Sequence, residues 1–133
     1  MSDTMREILF RGKRVDNGEW VKGFYVIIAG ENHCIFTGRL DITKRSIGYE
    51  YFKVDPETVG QYTGLTDKNG VKIFEGDIVK IKGKIKYIFY GISSFRYTNY
   101  GEYAAELKDV NTDRDCEIVG NIHDSPELLE EKI

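Results

Sequence analysis

The sequence predicts a mostly β protein, in which short strands are joined by tight turns and helix is minor. Two observations favour this class. The chain of 133 residues contains 14 glycines, nine tyrosines and seven phenylalanines but only two prolines, a composition typical of strands and turns. Apolar and polar residues also alternate over short segments that are separated by turn residues, a spacing typical of a small barrel or sandwich.

Residues 5–57 are predicted to form an N-terminal β lobe. Its strands are expected at residues 7–15, 19–28, 33–40 and 49–54. Asn17-Gly18 is expected to close the first hairpin, because such turns need positive φ angles. Asp55 is expected to cap a short helical turn that begins at Pro56.

Residues 58–133 are predicted to form a second β part, barrel-like and similar to an SH3 barrel. Turns are expected on both sides of a short strand at 71–74. Over residues 79–89 apolar residues hold the odd positions and lysines hold even ones, which predicts one strand with an apolar face and a lysine face. A bend or bulge in this strand is expected at Gly83. Strands at 103–110 and 116–121 are expected to pair, and a short C-terminal helix to begin near Pro126.

The composition excludes several classes of protein. With 41% hydrophobic and 31% charged residues, the chain is expected to be neither disordered nor embedded in a membrane. Its longest apolar run, residues 24–29, is too short to span a bilayer, and the N-terminal residues do not resemble a signal peptide. Two cysteines without paired spacing fit a reducing compartment, so a cytoplasmic location and no membrane partner are expected.

Three segments of the chain resemble the YopX family of phage and prophage proteins. They read REILFRGKRVDNGEWVKGFYV, VDPETVGQYTGLTDKNGVKIFEGDIVKI and IVGNIHDSPELL, and the similarity runs from residue 6 to about residue 129. The resemblance implies a small, mostly β protein with a barrel-like C-terminal part, encoded by a phage or by a bacterial prophage. It implies no particular activity.

No residue pattern indicates a catalytic, cofactor or metal site, so we expect no enzyme activity and no cofactor. The soft metal ligands are His33, Cys34, Cys116 and His123. They have neither CxxC nor HxxxH spacing. The acids of residues 67–77 do not match a calcium-binding loop and are expected to serve turns. Within this segment Glu75 and Asp77 flank a turn glycine, where water is expected to keep both ionised.

The segment of residues 78–101 provides one hypothesis for a binding surface. It contains no acidic residue, and its basic side chains are interleaved with aromatic ones. This combination is typical of surfaces that bind single-stranded nucleic acid, although lysines on one strand face also keep a sheet edge soluble. The predicted contacts are Lys80, Lys82, Lys84, Lys86, Arg96 and Tyr97.

Self-association through the N-terminal lobe is a second hypothesis. Residues 24–29 are continuously apolar, which predicts burial on both faces, whereas a lobe of about fifty residues covers only one face by itself. In a monomer the barrel part covers the other face, and in a two-fold dimer a second copy covers it. The predicted interface residues are Trp20, Phe24, Tyr25 and Ile27.

These observations lead to one functional expectation and two alternatives. The leading expectation is a non-enzymatic binding or assembly module that forms a homo-oligomer and contacts a phage or host protein. The first alternative is an accessory protein that binds nucleic acid through residues 78–101. The weaker alternative is an enzyme whose site is completed between subunits.

Overall fold

The computed structural model describes residues 7–42, 48–99 and 103–129. These residues form a mostly β structure, as predicted, and its strands make two antiparallel sheets. The chain divides into two units, Met1–Tyr62 and Thr63–Ile133. The helices in the described ranges contain at most four residues, so none of them is able to span a bilayer.

The first sheet has six strands in the order β4-β3-β2-β1-β5-β6. They are β1 (Phe10–Lys13), β2 (Trp20–Ile28), β3 (Asn32–Asp41), β4 (Gly48–Lys53), β5 (Gly60–Thr66) and β6 (Lys72–Phe74). The predicted turn at Asn17-Gly18 is confirmed, since Gly18 has a φ of 73°. The connection between the strands predicted at 33–40 and 49–54 lies mostly outside the described residues.

The N-terminal unit packs on one side of its sheet. Ile35 is fully buried and Val54 is 1% exposed, while the rings of Phe10 and Tyr25 lie with centroids 5.6 Å apart on the same side. The predicted helical turn is also confirmed: a 3-10 helix spans Pro56–Thr58, and the Asp55 side chain accepts a hydrogen bond from the backbone N–H of Glu57. Burial of the apolar side chains of Ile35, Val54, Phe10 and Tyr25 contributes hydrophobic free energy to the folding of this unit.

The second sheet has five strands in the order β10-β9-β8-β7-β11. They are β7 (Asp77–Ile81), β8 (Lys84–Gly91), β9 (Ser94–Thr98), β10 (Ala105–Glu106) and β11 (Cys116–Asn121). A core cluster of buried side chains lies against it, formed by Ile73, Val79, Ile81, Ile88, Leu107 and Cys116. In the described residues β10 and β11 are the two ends of this sheet, so it is not a closed barrel, and the predicted similarity to an SH3 barrel is not confirmed.

The pairing predicted between residues 103–110 and 116–121 is wrong. A 3-10 helix at Leu107–Asp109 and the α-helical turn α1 (Thr112–Asp115) separate the two segments. The buried side chain of Leu107 anchors the first of these turns in the core cluster. Consequently β10 pairs with β9, and β11 pairs with β7. The short C-terminal helix is present as a 3-10 helix at Pro126–Leu129.

Candidate functional site

One face of the N-terminal sheet carries a row of aromatic side chains across three strands. The register pairs Tyr51 with Phe36 and Phe36 with Phe24, so the three rings project from the same side of β4, β3 and β2. The rings of Phe36 and Tyr51 are stacked with centroids 4.9 Å apart. Phe24 is 61% exposed, Tyr51 43%, and Tyr49, on the same side of β4, 62%. These four rings define the aromatic face.

The aromatic face carries cations but none of the acids of β3 and β4. Alternation along β1, β2 and β4 places four cations on the side of the aromatic face. They are Arg11, Lys13, Lys22 and Lys53. The acids of β3 and β4, Asp41 and Glu50, project from the opposite side. The aromatic face is therefore locally positive, although residues 1–62 contain nine basic and nine acidic residues in total.

Trp20 lies on the same side as the aromatic face, beside two of these cations. The Arg11 guanidinium carbon is 4.8 Å from the centroid of the indole ring, and Lys13 Nζ is 5.7 Å from it. The negative face of an aromatic ring attracts a cation at such distances. Trp20 therefore helps to hold both positive charges on this side of the sheet.

The four predicted interface residues are divided between two faces. Trp20 and Phe24 lie on the side of the aromatic face, whereas Tyr25 and Ile27 project from the other side. Burial of residues 24–29 on both faces does not occur within one chain, because Phe24 is 61% exposed and Ile27 50% exposed. Self-association through these residues stays a prediction.

Tyr25 and His33 form a hydrogen-bonded pair on the packed side of the sheet. The Tyr25 hydroxyl contacts His33 Nδ1, and burial raises the pKa of Tyr25. His33 also lines an open cleft of about 610 Å³ with Lys13, Arg14, Lys53 and Glu31 among its other walls. A carboxylate or phosphate would meet basic groups in this cleft.

The single lysine-bearing strand predicted over residues 79–89 is wrong. Lys82 and Gly83 have φ angles of 50° and 82° and form a two-residue turn, so the segment is a hairpin in which Ile81 pairs with Lys84. Paired residues lie on the same side of a sheet. Lys80 therefore shares one side with its partner Ile85, whereas Lys84 and Lys86 lie on the other side with Ile81 and Val79.

The remaining predicted nucleic-acid contacts are held within β9. Arg96 donates hydrogen bonds to the backbone carbonyls of Gly91 and Ala104, and its guanidinium lies 3.7 Å from Glu106. Tyr97 is half-buried and packs against the core cluster. The structure thus does not bring the predicted residues to one surface. Nucleic-acid binding by them stays a prediction.

A basic cleft of about 300 Å³ lies beside the Lys82–Gly83 turn. Its charged walls are Lys68, Lys80, Lys82, Arg114, Asp115 and Glu117. Two ion pairs lie within it: Lys68 is 3.8 Å from Glu117, and Arg114 is 2.9 Å from Asp115. The hydrogen bond from Arg114, with the charge of Lys82 as a smaller contribution, lowers the pKa of Asp115. Internal pairing therefore neutralises part of this cleft.

Asp67 is a buried carboxylate that joins a turn to a strand. Its Oδ1 accepts hydrogen bonds from the backbone N–H groups of Asn69 and Val71, and its Oδ2 accepts one from Ile118 of β11. Burial acts to raise the pKa of Asp67, but these three donors and the charge of Lys68 outweigh it and lower the pKa. The prediction that this acid serves a turn is confirmed.

Asp77 also serves a turn, but the prediction that it is exposed to water is wrong. Only 2% of the residue is exposed, and its Oδ2 accepts a hydrogen bond from the backbone N–H of Phe74 across the turn. Cys116 is buried, and burial, assisted by the charges of Asp67 and Asp77, raises its pKa to about 12. Within the described ranges no group of three or more His, Cys, Asp or Glu side chains is placed to hold a metal.

Sequence reasoning missed most of the aromatic face. Tyr49, Tyr51 and Lys53 stand at alternating positions, which indicates that they share one side of a strand. The pairing of that strand with Phe36 and then with Phe24 depends on the register of three strands, and the shift between Phe36 and Leu40 has no signal in the sequence. The continuous apolar run gave the opposite expectation, since it predicted burial.

Comparisons with known proteins identify the family and the fold. The family model described as YopX protein matches residues 9–130. The chain is also similar to a solved structure, that of protein EF1440 from Enterococcus faecalis, with 24% identity, a TM-score of 0.64, and coverage of 95% of this chain and 100% of that one. This likeness shows a shared fold alone. Among curated proteins no sequence matches. Because the family model covers nearly the whole chain, the chain belongs to the YopX protein family.

Proposed function

We propose that this chain is a non-enzymatic binding module, encoded by a phage or prophage and active in the bacterial cytoplasm, whose partner contacts the aromatic face. One observation carries the proposal: Phe24, Tyr49 and Tyr51 expose between 43 and 62% of their surface on one side of one sheet. Grouped exposed rings mark interaction sites, because their apolar surface is removed from water only when a partner binds over them.

Two buried carboxylates, Asp67 and Asp77, have structural contacts that favour a binding role of the protein over a catalytic one. Asp67 and Asp77 are 3% and 2% exposed, and both accept backbone hydrogen bonds that hold turns. General acid–base catalysis needs a carboxyl group within hydrogen-bond reach of a substrate. These two acids are instead committed to the fold.

Self-association is a second candidate function, and the apolar character of the same face favours it. Leu40, which pairs with Tyr49, is 56% exposed, so apolar surface extends along β3. A two-fold dimer buries one such patch against its copy. Light scattering during size exclusion tests this candidate. A mass of two or more chains of 15.3 kDa each supports it, and a constant monomer mass over a tenfold dilution excludes it.

Site-specific photocrosslinking in the bacterial cell tests the proposed function without a known partner. A benzophenone side chain replaces Phe24 in one variant. In the matched control it replaces Ile92, which is 85% exposed but belongs to the second unit. We expect irradiation to give adducts at position 24 that are absent at position 92.

Equal adduct yields at both positions, or none at position 24, would refute the proposed function. The adducts also report the partner. Sensitivity to nuclease indicates nucleic acid, a mass of two chains indicates self-association, and any other protein-sized adduct indicates a phage or host protein.

A further inference from the structure

We propose that the partner of the aromatic face is single-stranded nucleic acid. This inference rests on the proposed function and names the chemistry of its partner. The bases of the strand stack on the exposed rings of Phe24 and Tyr51, and its phosphates contact the cations beside them, Lys53 and Lys22 in the first place.

The positions of rings and cations on the sheet fit a nucleotide strand. Phe24, Phe36 and Tyr51 form a row that crosses three adjacent strands, which lie about 4.8 Å apart. Lys53 follows Tyr51 by two residues on β4 and projects from the same side, while Lys22 precedes Phe24 by two residues on β2. Stacking surfaces flanked by positive charge are the two components of a single-strand platform.

Charge complementarity favours a polyanion over a second copy of the chain. Four cations share the side of the aromatic face, and the two acids of β3 and β4 lie on the opposite side. A two-fold contact brings a face against itself, so a dimer formed here would place like charges near each other at a cost in affinity. A strand of phosphates brings the opposite charge to Lys22 and Lys53, which are the exposed cations of the four.

The shape of the surface favours an unpaired strand over a duplex. The rings stand on a sheet, and bases inside a duplex are already stacked on their neighbours and present only their edges in the grooves. Unpaired bases expose their ring faces, and aromatic side chains on antiparallel sheets bind them in this way. Stacking and phosphate contacts are common to DNA and RNA, so both are tested.

The experiment is fluorescence anisotropy with a labelled twelve-residue oligothymidylate, its ribonucleotide equivalent, and a duplex of the same length. At about 50 mM salt we expect the wild-type chain to bind at least one single strand more tightly than the duplex. Phe24→Leu should weaken binding about tenfold, because base stacking on one ring contributes about 1.4 kcal/mol or more. Phe24→Trp, which retains a ring, should keep the wild-type affinity.

The charge component has its own variant and control. Lys53→Gln should reduce the slope of log affinity against log salt by about 0.7, the value for one phosphate contact with a single strand. Lys84→Gln and Tyr90→Ala, exposed residues of the segment 78–101, serve as controls. Neither should change affinity or slope.

Three results would overturn the inference, and each differs from a failure of the proposed function. Binding that is undetectable at low salt, or equal for the duplex, removes the single-strand preference. Equal affinity of Phe24→Leu and the wild type shows that no base stacks there. Loss of binding in the Lys84→Gln control moves the site to residues 78–101. In each case, nuclease-resistant crosslinks at position 24 would still support a protein partner for the aromatic face.

Discussion

The hairpins β2–β3 and β7–β8 relate sequence to burial in opposite ways. β2 contains the longest apolar run of the chain, yet its Phe24 is 61% exposed and its Ile27 50% exposed. The β7–β8 segment is interrupted by lysines, yet Val79 and Ile88 are almost completely buried. An apolar run therefore indicates only that a strand has no charged residues. Whether its side chains are buried depends on which other elements pack against the same face.

The source of the difference is the packing on each sheet. Val79 and Ile88 join a cluster to which β6, β11 and the 3-10 helix at Leu107 also contribute. The N-terminal unit buries Ile35 and Val54 on one side of β3 and β4, while the rings on the other side stay open to solvent. Exposed apolar residues that the fold does not need for stability are available for a partner.

The largest expected effect is at Gly23 of β2, where the backbone leaves no room for a side chain. A Cβ atom at this position would lie 2.0 Å from the carbonyl oxygen of Phe36, so Gly23→Ala has to push the two backbones apart. We expect a loss of more than about 4 kcal/mol, a size seen for severe core changes, and collapse of the aromatic row. Thermal and urea unfolding measure it.

Gly30→Ala is the matched control for Gly23→Ala. Gly30 has a φ of 77° but its added Cβ would meet nothing within 4 Å, so the cost is the left-handed backbone alone, about 1–2 kcal/mol. Similar losses in the two variants would show that β2 and β3 are not in such close contact.

The second expected effect tests the burial contrast directly. Ile88→Ala in β8 removes a side chain that is 1% exposed and should cost about 3 kcal/mol through lost burial and the cavity left behind. Phe24→Ala in β2 should change the free energy of unfolding by no more than about 0.5 kcal/mol, as exposed positions do. A greater loss for Phe24→Ala than for Ile88→Ala, from urea unfolding curves, would reverse the comparison.

Local signals in the sequence predicted most of the strands and turns. Gly18 and Asp55 each specify their own turn through backbone angles or capping, and such short-range chemistry does not depend on the rest of the fold. The family was also predicted correctly from its three segments.

Long-range pairing was not predictable in the same way. The lysine alternation over residues 79–89 continues through the Lys82–Gly83 turn without a break in the sequence. The two-residue turn nevertheless places the odd positions of β7 on the same side as the even positions of β8. The aromatic face requires the registers of β2, β3 and β4 together, including a shift between Phe36 and Leu40. These features depend on pairings between distant segments, which periodicity alone does not specify.

The third expected effect is at Asp67, which joins the turn between β5 and β6 to β11 of the sheet that contains β7–β8. Asp67→Asn should cost about 2 kcal/mol, because the amide nitrogen replaces an acceptor and leaves a backbone N–H of the turn or of Ile118 without a partner. Asp16→Asn is the control: this exposed acid pairs with Arg14 in the N-terminal unit, and the free energy of unfolding should change far less than in Asp67→Asn, because solvent screens an exposed ion pair.

The pH dependence of stability provides a second measurement on Asp67. Its pKa is lowered in the folded chain, so its contribution is fully present above the unfolded pKa of about 3.9 and is lost as the pH falls through the folded value. We expect the wild type to lose more stability than Asp67→Asn on acidification below about pH 4. Parallel pH profiles for the two proteins would contradict the three hydrogen bonds assigned to this carboxylate.

The smallest expected effect is a gain in stability at the turn that folds β7 onto β8. Lys82 adopts a φ of 50°, a left-handed angle that asparagine tolerates better than lysine does. Lys82→Asn should therefore raise the free energy of unfolding by about 0.5 kcal/mol. Lys84→Asn is the control, because residue 84 lies in β8 and asparagine is disfavoured in strands; a small loss is expected there. Stabilisation by Lys84→Asn but not by Lys82→Asn would show that the turn lies elsewhere. The residues on the two sides of the hairpin would then be exchanged, and the comparison with β2–β3 would fail.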